Sequence, residues 1–535
     1  MVNGLACDYA IVGAGSAGCV LANRLTANGR FRVLLLEAGP RDANLWIHVP
    51  LGYGKLFTDS RYNWMFESEP EPELDQRRIL QPRGKVLGGS SSINGLVHVR
   101  GQHEDFDGWA RLGNRGWAFA DVLPYFRKSE DFQHGADEFH GSGGPLAVSS
   151  LPEPHELCDA FISAAQQAGH PRNDDFNAAS QEGAGYFHVS ARNGRRCSTA
   201  VGYLRPAQKR ANLQVITQAH ATRVLFEGKR AVGVEFVAGG RKQQARAARE
   251  VILCAGAIQT PQLLQLSGVG PAELLAQHRI VPVHASAGVG ANFQDHPQAR
   301  LVYRCTRPIT INDDLLSWWR KMKLGLRYIL FRKGPLTVSA GYAGGFFRTR
   351  PELKTPDVQT HLTIFSTGKM GTGLLPYSGF TVSVCQLQPQ SRGTVGIKSP
   401  DPFAAPAIQP NYLSAERDRV TLIEGVKLMR RIMAQPAINA YIAAEDEPGP
   451  QVSGDAELLT YLREKASGIY HPSCTCRMGS DAEAVVDARL RVLGVAGLRV
   501  VDASVMPAIV SGNTNAAIVM IAEKGADMML EDAVS

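Results

Sequence analysis

The chain has 535 residues, 44% of them hydrophobic and 20% charged. That length and apolar content predict two to four globular domains with sizeable cores and exclude a disordered or fibrous chain. The 57 Lys and Arg outnumber the 50 Asp and Glu by only seven and are mostly dispersed, so no nucleic-acid partner is expected.

The first element is an apolar strand, Tyr9, Ala10, Ile11 and Val12, running into Gly13, Gly15 and Gly18 in a Gly-x-Gly-x-x-Gly spacing. Ala17, Val20, Leu21 and Leu25 then recur at helical spacing up to Gly29. Strand, tight turn and helix in that order make a dinucleotide site. The first glycine permits the turn, the second lets backbone approach a pyrophosphate, and the third lets the helix pack on the strand. A second apolar run, 31–36, ends in Glu37, a carboxylate placed to accept the hydroxyls of an adenosine ribose, followed by Ala38.

Next comes a Gly/Ser-dense stretch, 81–95, containing Val86, Gly89, Ser90 and Asn94. Small side chains at such density let backbone lie against something bulky and flat, where the plainer alternative is a flexible linker. Residues 155–168 carry apolar side chains three and four apart and predict an amphipathic helix. Runs at 221–226 and 231–236 predict a hairpin through Val224, and 250–257 predicts a buried strand ending at Ala255. Thr260-Pro261 is expected to open a helix. The middle of the chain mixes strands near 357–364, 379–386 and 393–398 with a helix at 416–434. The end returns to nucleotide-type signals: a strand at 498–501 running into Asp502 and Ala503, then a helix over 514–529.

The predicted fold is therefore α/β, with a discontinuous Rossmann-type FAD-binding domain (1–154, 205–295 and 461–535) and an inserted mixed-sheet substrate-binding domain (155–204 and 296–460). No apolar run approaches the roughly 20 residues of a membrane span; the richest, 516–522, is stopped by Glu523 and Lys524. Residues 1–7 are too short for a secretory leader, so a cytoplasmic location is expected. Nine cysteines without C-x-x-C pairs suit reduced thiols better than a disulfide framework or a zinc site, and no metal is expected.

Four stretches, in this order, resemble the glucose-methanol-choline family of FAD-dependent oxidoreductases, most closely its choline dehydrogenase-like alcohol dehydrogenases. They are 83–94, 256–270, 470–479 and 512–516. The resemblance implies that Gly13, Gly15, Gly18, Glu37 and Ala38 hold the adenosine diphosphate half of FAD, with Val224 offering backbone near the adenine. Val86, Gly89, Ser90 and Asn94 would lie along the flavin, Ala255, Asp502 and Ala503 by the pyrophosphate and ribityl chain, and the helix after Thr514 would aim its positive end at the ring. Ile93 stands where relatives with covalent flavin carry histidine, which implies noncovalent FAD.

Alcohol oxidation needs a base beside the hydroxyl and an acceptor facing the C–H bond. By the resemblance His471 is the base, hydride goes to flavin N5, and Asn513 donates to the developing alkoxide. Taken without that context, a histidine before a proline reads as a loop histidine. Cys474 replaces a glycine of the family pattern; it either narrows the substrate's approach, is redox-active, or is a small core residue. His361 is expected to line the substrate pocket or to be a core histidine.

The segment 315–331 carries Trp318, Trp319, Tyr328 and Phe331 with Arg320, Lys321, Lys323 and Arg327 and no acid. It predicts either a basic amphipathic helix lying on an anionic membrane or a helix packed on the substrate domain, with Gly325 weakening it. The expected activity is oxidation of a primary alcohol with electrons passed to a quinone. An oxygen-using oxidase and a flavin-containing lyase are the alternatives.

Overall fold

The computed structural model describes residues 5–368 and 373–534; the expectation about a leader at 1–7 falls partly on residues 1–4, outside that set. The opening motif forms a strand, Leu5–Val12, the helix Ser16–Thr26 and a second strand, Val33–Leu36. The helix stops at Thr26, and Gly29 closes the turn at a φ of 73° that favours glycine. All four residues of Val33–Leu36 are buried, as expected of a strand covered on both faces.

Val33–Leu36 pairs in parallel with both Leu5–Val12 and Leu213–Ile216. The strand Arg241–Leu253 is long enough to do two things. Its first half pairs antiparallel with Arg230–Ala238, which is hairpinned to Ala219–Glu227. Its last residues pair in parallel with Leu5–Val12 on one side and Leu498–Val500 on the other. The C-terminal segment thus rejoins the sheet opened by the first strand. The helix Asn515–Asp532 packs beside Ser16–Thr26, where Glu523, fully buried, accepts two hydrogen bonds from Arg24 (2.8 and 2.7 Å) and one from Tyr203 (2.7 Å).

A second, antiparallel sheet runs in the order Ile442–Glu447, Pro297–Cys305, Gly379–Gln386, Val358–Thr363, Ala343–Phe347 and Gly183–Tyr186. The helices Glu156–Gln167 and Glu416–Met433 bury their apolar faces in its core. Gly425 permits close helix–sheet approach: a Cβ there would lie 2.8 Å from a Val384 methyl.

Three expectations need correction. The boundary at 460 falls inside the helix Asp455–Lys465, and Leu458, Leu462 and Ala466 bury into the second core while Ser467–Gly468 pairs with Pro297 and Gln298. The helix expected to open at Thr260-Pro261 starts at Gly256, with Pro261 inside it. Residues 315–331 are not one helix: Ile311–Leu316 and Trp318–Phe331 are separated by an extended Ser317, and Gly325 is accommodated within the second.

Candidate functional site

A cleft of about 1090 Å³ opens at the carboxyl ends of the parallel strands. Three helices begin on its wall: Ser16–Thr26 after Gly15, Gly256–Leu266 after Ala255, and Asn515–Asp532 after Thr514. None has a side-chain cap or an acid in its first turn. Apart from the Gly256 N–H, which Asp502 accepts, their first-turn N–H groups and positive dipole ends suit a pyrophosphate and an electron-rich ring. Gly13, Glu37, Ala38, Gly89, Ser90, Asp502 and Ala503 also line the cleft.

The glycines are there for close approach. A Cβ at Gly13 would lie 2.5 Å from the Cys254 carbonyl oxygen, and one at Gly89 would lie 2.7 Å from the Gly15 Cα. Glu37 accepts from the backbone N–H groups of Ala14 (2.9 Å) and Gly39 (2.8 Å), and burial pushes its carboxyl up to about 7. Asp502 accepts from Gly256 N–H, Thr260 and Ser504, tying the start of one helix to the end of the last parallel strand. Anion-ready helix ends and a buried acid on the wall of the cleft together fit the expected FAD. Ile93 offers no nucleophile for a covalent link.

The cleft continues into a cavity of about 1330 Å³, the two sharing Ser16, Arg83, Ser90, Thr514 and Ile518 on their walls. His471, Asn513, His361 and Asn94 line this second space. Residues 294–296 run alongside 469–473, with Ile469 N–H donating to the His296 carbonyl (3.0 Å) and Ser473 N–H to that of Gln294 (3.0 Å). Asp295 accepts the His471 backbone N–H at 2.7 Å and the Tyr412 hydroxyl at 2.5 Å. The loop holding His471 is thereby pinned on both sides.

The side chains form one directed chain. His296 Nε2 lies 3.1 Å from the Leu387 carbonyl, which can only accept, so that nitrogen carries the proton and His296 Nδ1 is a lone pair. His471 Nδ1, 3.0 Å away, must then donate to it, leaving His471 Nε2 as an acceptor. Asn513 Nδ2 meets that nitrogen at 3.2 Å, its amide oriented by Gln359, which donates to Asn513 Oδ1 at 3.1 Å. Burial, then His296, His361 and Arg83, hold His471 well below the usual histidine range. Burial brings His296 and His361 down to about 4. A neutral imidazole with its lone pair on a cavity wall is chemically able to take a proton.

His361 packs edge-close to Gly341, where a Cβ would lie 2.7 Å from the ring, and its Nδ1 is buried without a hydrogen-bond partner among the described residues. Other expected site residues sit elsewhere. Val224 is corrected: its N–H donates to Ser267 Oγ (2.9 Å), its side chain is in the core, and Ala219, His220 and Ala221 form the cleft wall instead. Val86 packs with Ile47, Leu56 and Ile93 and lines neither space. Gly18 serves packing, since a Cβ there would strike the Gly13 carbonyl at 1.9 Å. Cys474 is corrected as a substrate contact: it is fully buried in the first core at a left-handed φ of 72°, with its thiol pushed up to about 12 by burial.

His296, Gln359, Arg83 and Arg300 were not anticipated. His296 and His471 each precede a proline, which holds both in extended-type backbone and is the one local signal they share.

Residues 7–298 match the N-terminal part, and 389–522 the C-terminal part, of the GMC oxidoreductase family. An oxygen-dependent choline dehydrogenase of Vibrio vulnificus (strain YJ016) is 45% identical over 98% of this chain and 94% of its own. Pyridoxine 4-oxidase from Mesorbium loti superposes with a TM-score of 0.90 at 30% identity, covering 98% of this chain and 99% of its own. An FAD-dependent oxidoreductase from Chaetomium thermophilum superposes at 0.91 and 27%, covering 99% and 100%. With a cleft shaped for FAD, matches along both halves and relatives spanning nearly its whole length, the chain belongs to the GMC oxidoreductase family of FAD-dependent enzymes.

Proposed function

We propose that this protein oxidises a primary alcohol to the aldehyde, with His471 as the general base and Asn513 as the donor to the developing alkoxide. One observation carries the reading: the hydrogen-bond chain from Leu387 through His296 and His471 to Asn513, which leaves the His471 Nε2 lone pair facing the cavity. Bound FAD supplies the two-electron acceptor. The alcohol RCH2OH gives up its hydroxyl proton to His471 Nε2, and loss of the second hydrogen with its electron pair yields RCHO. Asn513 Nδ2, displaced from Nε2 by the substrate oxygen, donates to that oxygen as negative charge grows on it, without competing for the proton. Such base catalysis is worth about 10²–10⁴-fold.

The test is anaerobic mixing of holoenzyme with a panel of primary alcohols, following loss of visible flavin absorbance. Bleaching supports the reading. Its absence with every alcohol contradicts it in favour of the lyase alternative.

The proposed electron acceptor is a quinone reached at a membrane surface. The helix Trp318–Phe331 supports this: Trp319 and Phe331 are 71% and 66% exposed, with Trp318, Leu326, Ile329 and Leu330 also outward. Arg320, Lys321 and Lys323 accompany this apolar face, and Leu324 and Tyr328 hold the helix to the body. No helix among the described residues is long and apolar enough to cross a membrane, so contact would be with the surface. Reoxidation of bleached flavin by a ubiquinone analogue but not by air, and pelleting with anionic vesicles, support this acceptor. Fast reoxidation in air and indifference to vesicles contradict it.

A further inference from the structure

The floor of the cavity beside His471 is one face of the second sheet. Gln298 and Arg300 alternate along Pro297–Cys305, opposite Cys385 and Ser383, and His361 and Thr363 follow on the neighbouring strand. Among the described residues on the wall there is no Asp or Glu, while two guanidinium groups, Arg83 and Arg300, are present.

Their hydrogen-bond partners are neutral, but the field of the Asp295 carboxylate reaches Arg83, so Arg300 is the guanidinium that stands out. Arg83 donates to the carbonyls of Pro82 and Tyr470, both at 2.5 Å. Arg300 donates to the Thr367 carbonyl (3.3 Å) and hydroxyl (3.0 Å) and to the Gly368 carbonyl (3.3 Å), and makes no ion pair with an acid among the described residues. The acid whose field reaches Arg300 is Glu447, itself engaged by Lys465 at 3.4 Å. Burial lowers the Arg300 pKa, yet guanidinium remains charged at any physiological pH. A charge drawn partly out of water without an ion-pair partner is costly, and no acid on the cavity wall provides one. Around it are Phe57, Phe365, Leu96, Val97 and Ile469, which suit a hydrocarbon chain.

A quaternary ammonium alcohol is poorly matched here. Tyr53, Phe57, Phe365 and Tyr470 line the cavity, but a bound cation would share it with two guanidiniums and no carboxylate on its wall. A carboxylate reverses the sign: it neutralises Arg300 and can accept from the Nε–H and the second Nη1–H, which Thr367 and Gly368 do not use.

We propose that the substrate is a hydroxy acid, a primary alcohol on an apolar chain that ends in a carboxylate, and that Arg300 binds that carboxylate while His471 and Asn513 meet the hydroxyl. This rests on the alcohol-oxidising reading above and names its substrate class.

The experiment compares 6-hydroxyhexanoate, 1-hexanol and choline with the FAD-loaded enzyme, measuring kcat and KM for each, in the native protein and in R300Q and R300K. The expected order of kcat/KM is hydroxy acid, then hexanol, then choline. The ratio of hydroxy acid to hexanol should fall at least ~10-fold in R300Q, mostly through KM, and should recover substantially in R300K. Choline or hexanol preferred over the hydroxy acid, or a ratio unmoved in R300Q, overturns the proposal. Calorimetric titration with hexanoate and hexylammonium separates anion binding from flavin reduction and exposes a variant that no longer folds. Hexanoate binding that needs Arg300, with no flavin bleaching by any of the alcohols, sinks the redox reading but leaves the anion site. Tighter binding of hexylammonium than of hexanoate sinks the anion site whatever the alcohols do.

Discussion

His471 and His296 face each other through their Nδ1 atoms, 3.0 Å apart, and one proton lies between them. Because the other nitrogen of His296 is committed to the Leu387 carbonyl, the pair has a single neutral arrangement, and it leaves the working nitrogen of His471 unprotonated. In the proposed reaction His296 is thereby a positioning residue for the base, comparable to the orienting groups of other catalytic histidines.

Removing His296 should therefore cost turnover more than binding. In H296A the Nδ1–H of His471 has no acceptor, its tautomer is no longer held, and kcat is expected to fall at least ~10-fold with KM changing less than about threefold. Steady-state kinetics with a dye acceptor measure this. A fall confined to KM would assign His296 to packing alone.

The pH profile follows from the environment of His471. Its active form is neutral, so activity is lost as pH falls through its pKa, which burial, His296, His361 and Arg83 hold well below 6.5. Asp295 also faces the histidine and, pushed up to about 6 by burial, adds a second acid-side step. The expected kcat/KM is level from pH 6.5 to 9 and declines only below about 6. An inflexion above 7 that disappears in H471A would contradict this account of the base.

The two glycine loops meet where cofactor must lie between them and the helices. G89A places a methyl 2.7 Å from the Gly15 Cα at a φ of 52°, so the loops must part. Purified G89A is expected to retain less than half the flavin of the native protein, judged by its visible-to-ultraviolet absorbance ratio. G54A, with open space around its exposed position, should retain it all. Equal flavin content in G89A would show that this contact is not needed to shape the cleft.

Much of this was legible from residue order alone. The Gly13, Gly15 and Gly18 spacing and Glu37 announce the cleft because backbone approach to phosphate tolerates few alternatives, and the helix after Thr514 is visible from its apolar run. The place of Val224 was implied by the resemblance, and nothing in the hairpin's own alternation shows that Ser267, at the end of a neighbouring helix, takes its N–H. Of the three readings open for Cys474, the small core residue matches its place: it turns the chain at a left-handed φ within the first core, where its side chain reaches neither cleft nor cavity. Arg300 was silent, and His296 was marked only by the proline that follows it. Their roles arise from strand pairing across residues far apart in the chain, and a polar residue alternating with apolar ones, as Arg300 does with Ala299 and Leu301, reads as solvent-facing until the second wall of the cavity is known.

The central claim, that His471 takes the proton of an alcohol whose electrons enter bound FAD, is tested most directly by anaerobic stopped-flow reduction of H471A. H471A is expected to keep its full flavin content and to bleach at least ~10²-fold more slowly than the native protein at pH 7.5. Flavin retained and bleaching undiminished would contradict it and move the base to another residue on the cavity wall.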